Sequence, residues 1–103
     1  MNAKKIEAGS ILKSSWGYDQ TNIDFYRVIS VNNNWATLEP IGQTVVETLA
    51  GYMGQTVAPS DVTIGKKFRR KVKHFLGEDM VSVKTYAVAS VWNGTPQLQT
   101  NTH

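Results

Sequence analysis

Residues 23–31 read IDFYRVISV, a run of β-branched and aromatic side chains whose hydrophobic positions recur with a period near two. Ile23, Phe25, Ile29 and Val31 fall on one face, interrupted by Arg27. Asp24, Tyr26, Val28 and Ser30 fall on the other. This spacing predicts a strand. NNN at 32–34 predicts a turn, because asparagine tolerates left-handed backbone angles. WATLEPI at 35–41 then returns as the partner strand, with Pro40 expected at an edge or a bulge because it has no amide hydrogen to donate.

An earlier strand is expected within AGSILKSSW (8–16), followed by a polar loop, GYDQTN (17–22). Residues 43–58 fit either a short helix or strands. Gly51 and Gly54 weigh against the helix, and TVVET and QTVA favour two short strands around a glycine bend. PSDVTIG (59–65) reads as a connector and GED (77–79) as a turn. MVSVKTYAVASVW (80–92) alternates throughout: Val81, Val83, Thr85, Ala87, Ala89 and Val91 oppose Ser82, Lys84, Tyr86, Val88, Ser90 and Trp92. NG at 93–94 is a strong turn dipeptide. The two ends, residues 1–6 and 97–103, have little to bury and are expected to fray.

Five to seven short antiparallel strands in a single domain spanning residues 1–103 predict an all-β sandwich or barrel. A strand after GS, a six-residue polar loop, then FYRVISV, a tight turn and WATLEPI resemble the opening of SH3-like barrels of the Tudor or KOW kind. A closer resemblance lies in three blocks running in order along nearly the whole chain: SSWGYDQTNIDFYRV (14–28), FRRKVK (68–73) and YAVASVWNGTP (86–96). They resemble a family of small proteins found in phages and bacterial mobile elements, with SWGYDQTN-DFY as the distinctive block. The resemblance implies a mobile-element origin. It carries over no functional residue.

Composition removes several classes of chemistry. At 103 residues the chain is expected to build one modest core and not two, hiding about two-thirds of its unfolded surface. It has no cysteine, which excludes disulfides, thiolate metal sites and cysteine nucleophiles and points to a reducing, cytoplasmic setting, the host cytoplasm for a phage protein. No apolar run is long enough to span a membrane, and no hydrophobic stretch follows the N-terminal lysines as a secretory signal requires.

Charge is distributed unevenly. Residues 1–62 carry four Lys/Arg against six Asp/Glu, whereas residues 63–103 carry seven against two. Most of that excess is KKFRRKVKHF (66–75), with six cations in eight positions. Read as a strand, it puts Lys67, Arg69, Lys71 and Lys73 on one face, about 7 Å apart. Phe68 and Val72 lie on the other, with Lys66, Arg70 and His74. A helix would scatter the apolar residues. The outward row matches every second phosphate of a nucleic-acid strand, with Arg70 at one border and Lys84 widening the patch. The plain alternative is an edge strand whose lysines block aggregation. An acidic protein surface would also complement it. Stacking aromatics would strengthen the nucleic-acid case. Trp16, Tyr18, Tyr26, Trp35, Tyr86 and Trp92 are candidates, and Tyr18, in the polar loop beside a glycine, is the leading one.

Catalytic patterns are thin. Asp19 and Asp24 lack the spacing of a calcium loop, and their simplest roles are capping and pairing with a cation. His74, among lysines, has no nucleophile beside it, and His103 ends the chain. Ser14 and Ser15 have no visible base. GYMG (51–54) and IGKK (64–67) are not phosphate loops. No cofactor, metal or enzymatic activity is expected. The sequence favours a non-catalytic binding module whose partner is nucleic-acid backbone, read with little sequence preference. The alternative is a phage-encoded inhibitor seated on an acidic host protein, an anti-defence or host-takeover role. An oligomeric virion or assembly component is the weaker third.

Overall fold

A computed structural model of the protein describes residues 5–16, 22–48, 54–75, 77–84, 87–92, 94 and 96–99. Every regular element among them is a β-strand: β1 (Ile11–Trp16), β2 (Asn22–Asn32), β3 (Trp35–Thr48), β4 (Gln55–Thr63), β5 (Phe68–Phe75), β6 (Glu78–Lys84), β7 (Ala87–Val91) and β8 (Gln97–Gln99). β1, β2, β3, β5, β6 and β7 follow one another around a ring, all antiparallel, and β7 pairs back onto β1. The chain thus forms the expected small all-β, SH3-like barrel, with six strands in its closed wall.

Turn chemistry explains much of this. Asn33 and Asn34 both take positive φ, 52° and 67°, and join the paired residues Asn32 and Trp35. A two-residue hairpin with both central residues left-handed matches the twist of the flanking strands. Gly9 and Gly77 supply positive φ at two other chain reversals.

β4 and β8 stand outside the ring. β3 runs unbroken for 14 residues. Trp35 to Leu38 pair with β5, and Ile41 to Thr48 pair with β4, so β4 and β5 lie end to end beside one long strand. The break falls at Pro40, which has no N–H for a ladder bond. Residues 64–67 bridge it as a crossover, and the Ile64 amide donates to the Pro40 carbonyl at 2.9 Å. Pro40 thus sits at neither an edge nor a bulge, contrary to expectation: it lies inside β3, paired with Tyr26 of β2, at the place where β3 changes partner on its other side.

The distal half of this hairpin is an arm folded over the outside of β2. It closes a second small core of Ile23, Phe25, Ile41 and Val57, with Ile11 and Trp92 against it. Trp92 meets Phe25 edge-on, with ring centroids 6.2 Å apart. The barrel itself is filled by Leu12, Tyr26, Val28, Ala36, Leu38, Val72, Val81, Val83, Ala87 and Ala89. β2 is therefore buried on both faces. Tyr26 and Val28 point into the barrel, Ile23 and Phe25 point under the arm, and Val31 is exposed. Arg27, which interrupts the apolar face in the sequence, bonds the Glu39 carboxylate and the Asp61 carbonyl, each at 3.0 Å. It clamps β2 to β3 and to the arm.

Four boundaries differ from expectation. The 59–65 connector is mostly strand, because β4 continues to Thr63. Residues 43–58 do give two strands, but these are the long ends of β3 and β4, and residues 49–53 lie outside the described residues. Residues 80–92 form two antiparallel strands, Lys84 pairing with Ala87. A two-residue reversal by itself would invert the alternation, because paired residues share a face; the register shift between Ser82 and Lys84 restores it, so alternation does not reveal the reversal. The ends are also better tied than composition suggests. Ile6 is buried, and its amide donates to the buried Asp79 carboxylate at 2.9 Å. Gln97–Gln99 adds β8 to the arm by pairing with β4. No helix among the described residues is long and apolar enough to cross a membrane.

A Cβ at Gly65 would lie 2.7 Å from Pro40 Cγ, a ring atom that cannot swing away. Gly65→Ala is expected to lower unfolding free energy by about 2 kcal/mol in urea titrations. Adding Pro40→Ala removes the obstructing ring and is expected to restore part of that loss. A Gly65→Ala variant as stable as the parent would show that the crossover does not pack on the proline.

Candidate functional site

The basic segment is a strand. Its faces follow from two anchors: Val72 is buried in the barrel, and Phe68 packs partly buried against the same core, edge-on to Tyr26 at 5.7 Å. Successive side chains in a strand alternate faces, so Arg69, Lys71 and Lys73 share the outer face, and all three are exposed. Lys67 is exposed as well, but it precedes the first residue of β5, so strand alternation does not fix its direction. Three cations, not four, form the row within the strand.

β5 lies between β3 and β6 in the sheet order. It is not an edge strand, so blocking edge-to-edge aggregation does not account for its lysines. None of Lys67, Arg69, Lys71 and Lys73 forms an ion pair among the described residues; the pairs there are Arg27–Glu39, His74–Asp79 and Lys84–Asp24.

The two border cations are placed differently. Arg70 is on the inward-facing set of β5, but at the barrel's end, where its guanidinium reaches the surface and lies 4.7 Å from the Phe68 ring centroid. Its Nη1 donates to the Arg69 carbonyl at 2.8 Å. Lys84 does not extend the outer row freely. Its ammonium lies 4.7 Å from the Trp16 ring centroid and 3.5 Å from Asp24 Oδ2. That same oxygen accepts from Trp16 Nε1 at 2.6 Å. Asp24 thus takes the expected role of pairing with a cation.

Tyr18, the leading stacking candidate, lies outside the described residues, as do Asp19, Tyr86 and His103. Tyr26 is buried and Trp92 is built into the second core. The aromatic that meets the basic row is Trp35. It pairs with Lys71 across β3 and β5, is 42% exposed, and lies 5.5 Å under the Arg69 guanidinium. A signal for it was present in WATLEPI: alternation puts Trp35 with Thr37 and Glu39, opposite buried Ala36 and Leu38.

Beside this row runs a groove of about 370 Å³ lined by Trp35, Arg70, Lys71, Lys73, Ser82, Val83 and Lys84. His74, the one candidate base among the described residues, donates through Nδ1 to Asp79 Oδ1 at the opposite end of the barrel and serves the structural knot that also holds Ile6. No group of three His, Asp or Glu among the described residues could hold a metal ion. Comparison of the chain with family models, curated proteins and solved structures returns no match.

Trp35→Ala is expected to change urea-unfolding stability by about 1 kcal/mol or less, as a surface substitution. Val72→Ala removes buried methyl groups and is expected to cost about 2 kcal/mol. Equal costs at the two positions would mean that the faces of β5 and β3 are misassigned.

Proposed function

We propose that this protein is a non-catalytic binding module that lays the outer face of β5 along the sugar–phosphate backbone of a nucleic acid. One observation carries the proposal. Arg69, Lys71 and Lys73 form an outward row without acidic partners among the described residues, on a strand that lies between β3 and β6 in the sheet order, beside an exposed tryptophan. Alternate residues on a strand lie about 7 Å apart, close to two phosphate steps. Lys67, exposed in the crossover just before β5, adds a fourth cation whose direction the strand does not fix. Binding is driven by counterion release, and Trp35 supplies a face on which a base can stack whatever its identity. Among the described residues no helix presents side chains for reading base edges, so little sequence preference is expected. A mobile-element origin and action in the host cytoplasm accompany this proposal; both rest on the sequence.

A second reading, an inhibitor that docks on a host protein, is favoured by a different observation. Val45, Val46, Val62 and Ile64 of the arm and crossover are 48–65% exposed. Exposed apolar side chains fit a protein partner better than a polyanion.

Four phosphate contacts predict a log–log salt slope of about −4 for duplex DNA. Neutralising Lys71 or Lys73 singly is expected to reduce it by about 1. Reversing Lys67, Arg69, Lys71 and Lys73 together is expected to abolish oligonucleotide binding while the variant melts as the parent does. Flat salt dependence, with one host protein retained from nuclease-treated lysate, would favour the inhibitor. A quadruple variant that unfolds would contradict the assignment of faces.

A further inference from the structure

Ladder pairing is incomplete on one side of the basic row. β5 and β6 pair from Phe75 and Glu78 to Val72 and Val81, and pairing stops there. Towards the crossover end, Arg70 and Lys71 have no ladder partners on the β6 side, although β5 there still pairs with β3. The groove beside the row is lined by residues of this unpaired stretch, Arg70 and Lys71 on one strand and Ser82, Val83 and Lys84 on the other.

A second cavity, of about 480 Å³, lies at the barrel's end. Its lining includes Asp24, Pro40, Ile64, Phe68, Arg70 and Lys84. Arg70, Val83 and Lys84 line both spaces, so groove and cavity adjoin at these three residues. Pro40 creates the opening. Because it cannot donate a ladder bond, β3 changes partner here, and the crossover carries Ile64, 65% exposed, to the rim.

The chemistry of this mouth differs from that of the groove. The groove offers cations. The mouth offers apolar and aromatic surface in Phe68, Pro40 and Ile64, a guanidinium plane in Arg70, and a carboxylate in Asp24. A nucleobase matches that set: a flat ring with an apolar face and an edge of donors and acceptors. Guanidinium planes and aromatic rings are the surfaces on which unpaired bases stack. In a duplex the base is unavailable; in a single strand it is free to turn inward.

We infer that the barrel mouth receives one unstacked nucleobase from a strand whose phosphates lie on the β5 row, making the protein a single-strand binder. This rests on the phosphate-tracking reading above and adds where the base goes. The lysines hold the backbone, the base turns in past Arg70 and Lys84, where groove and mouth adjoin, and Phe68, Ile64 and Arg70 enclose it. Because DNA and RNA share base and phosphate chemistry, a DNA and an RNA strand are separate arms of the test.

The experiment measures fluorescence anisotropy of the full chain at low salt with four labelled ligands of equal length: oligothymidine, oligouridine, an abasic strand with the same number of phosphates, and a duplex. At least one base-bearing single strand is expected to bind about tenfold tighter than the abasic strand, and tighter than the duplex. Ile64→Asp, at an exposed rim position where folding is not at stake, is expected to bring the ratio of base-bearing to abasic affinity close to one. A parent ratio near one overturns the mouth while leaving the phosphate row in place. A high ratio that survives Ile64→Asp also overturns it and puts the base elsewhere, on Trp35. No binding of any strand overturns the phosphate row, and the mouth with it.

Discussion

The alternation of side chains along β5 is the constraint that fold and candidate site share. Phe68 and Val72 face the barrel, where both pack in its core. With those two inside, Arg69, Lys71 and Lys73 have only the outer face left. A slip of one residue would carry three cations into a closed hydrophobic interior, and burying even one unpaired charge is prohibitive. Pairing of Trp35 with Lys71 on one flank and of Val72 with Val81 on the other fixes the register. The concentration of charge in one segment is therefore tolerated by the fold only as a surface row.

A second constraint, the missing amide hydrogen of Pro40, shapes what surrounds that row. It divides the partner of β3 into β4 and β5. The distal part becomes an arm with its own small core, held by the Arg27 clamp. The proximal part leaves the barrel with a mouth. The cations and the mouth meet at Arg70 and Lys84, which belong to both spaces. Lys84 is held there by Asp24, which also fixes the Trp16 indole.

Much of this was legible in the residues. The hairpin of β2 and β3, its asparagine turn and the two faces of β5 all follow from period-two patterns and turn chemistry. The inward set of 80–92 was also right over its described residues, since Val81, Val83, Ala87 and Ala89 are buried. What failed did so for physical reasons. The register shift in β6 offsets the inversion that a two-residue reversal brings, so the alternation of 80–92 reads as one strand. A strand buried on both faces has no clear polar side, so alternation alone does not say which face of β2 meets the barrel. A salt bridge to a distant strand is invisible in a single sequence, so Arg27 looked like an interruption and Lys84 like a free cation. The exposed aromatic was within reach, but the glycine beside Tyr18 drew attention from the polar neighbours of Trp35.

Lysine acylation followed by peptide mass spectrometry, with and without a short oligonucleotide, tests the outward row most directly. Lys13 is the internal control: the register row Lys73, Met80, Ser90, Lys13 puts it three strands around a six-strand wall from β5. Lys71 and Lys73 are expected to lose reactivity when the oligonucleotide is present, while Lys13 keeps its own. Equal protection at all three, or none at any, would mean that the row on β5 is not where a nucleic acid sits.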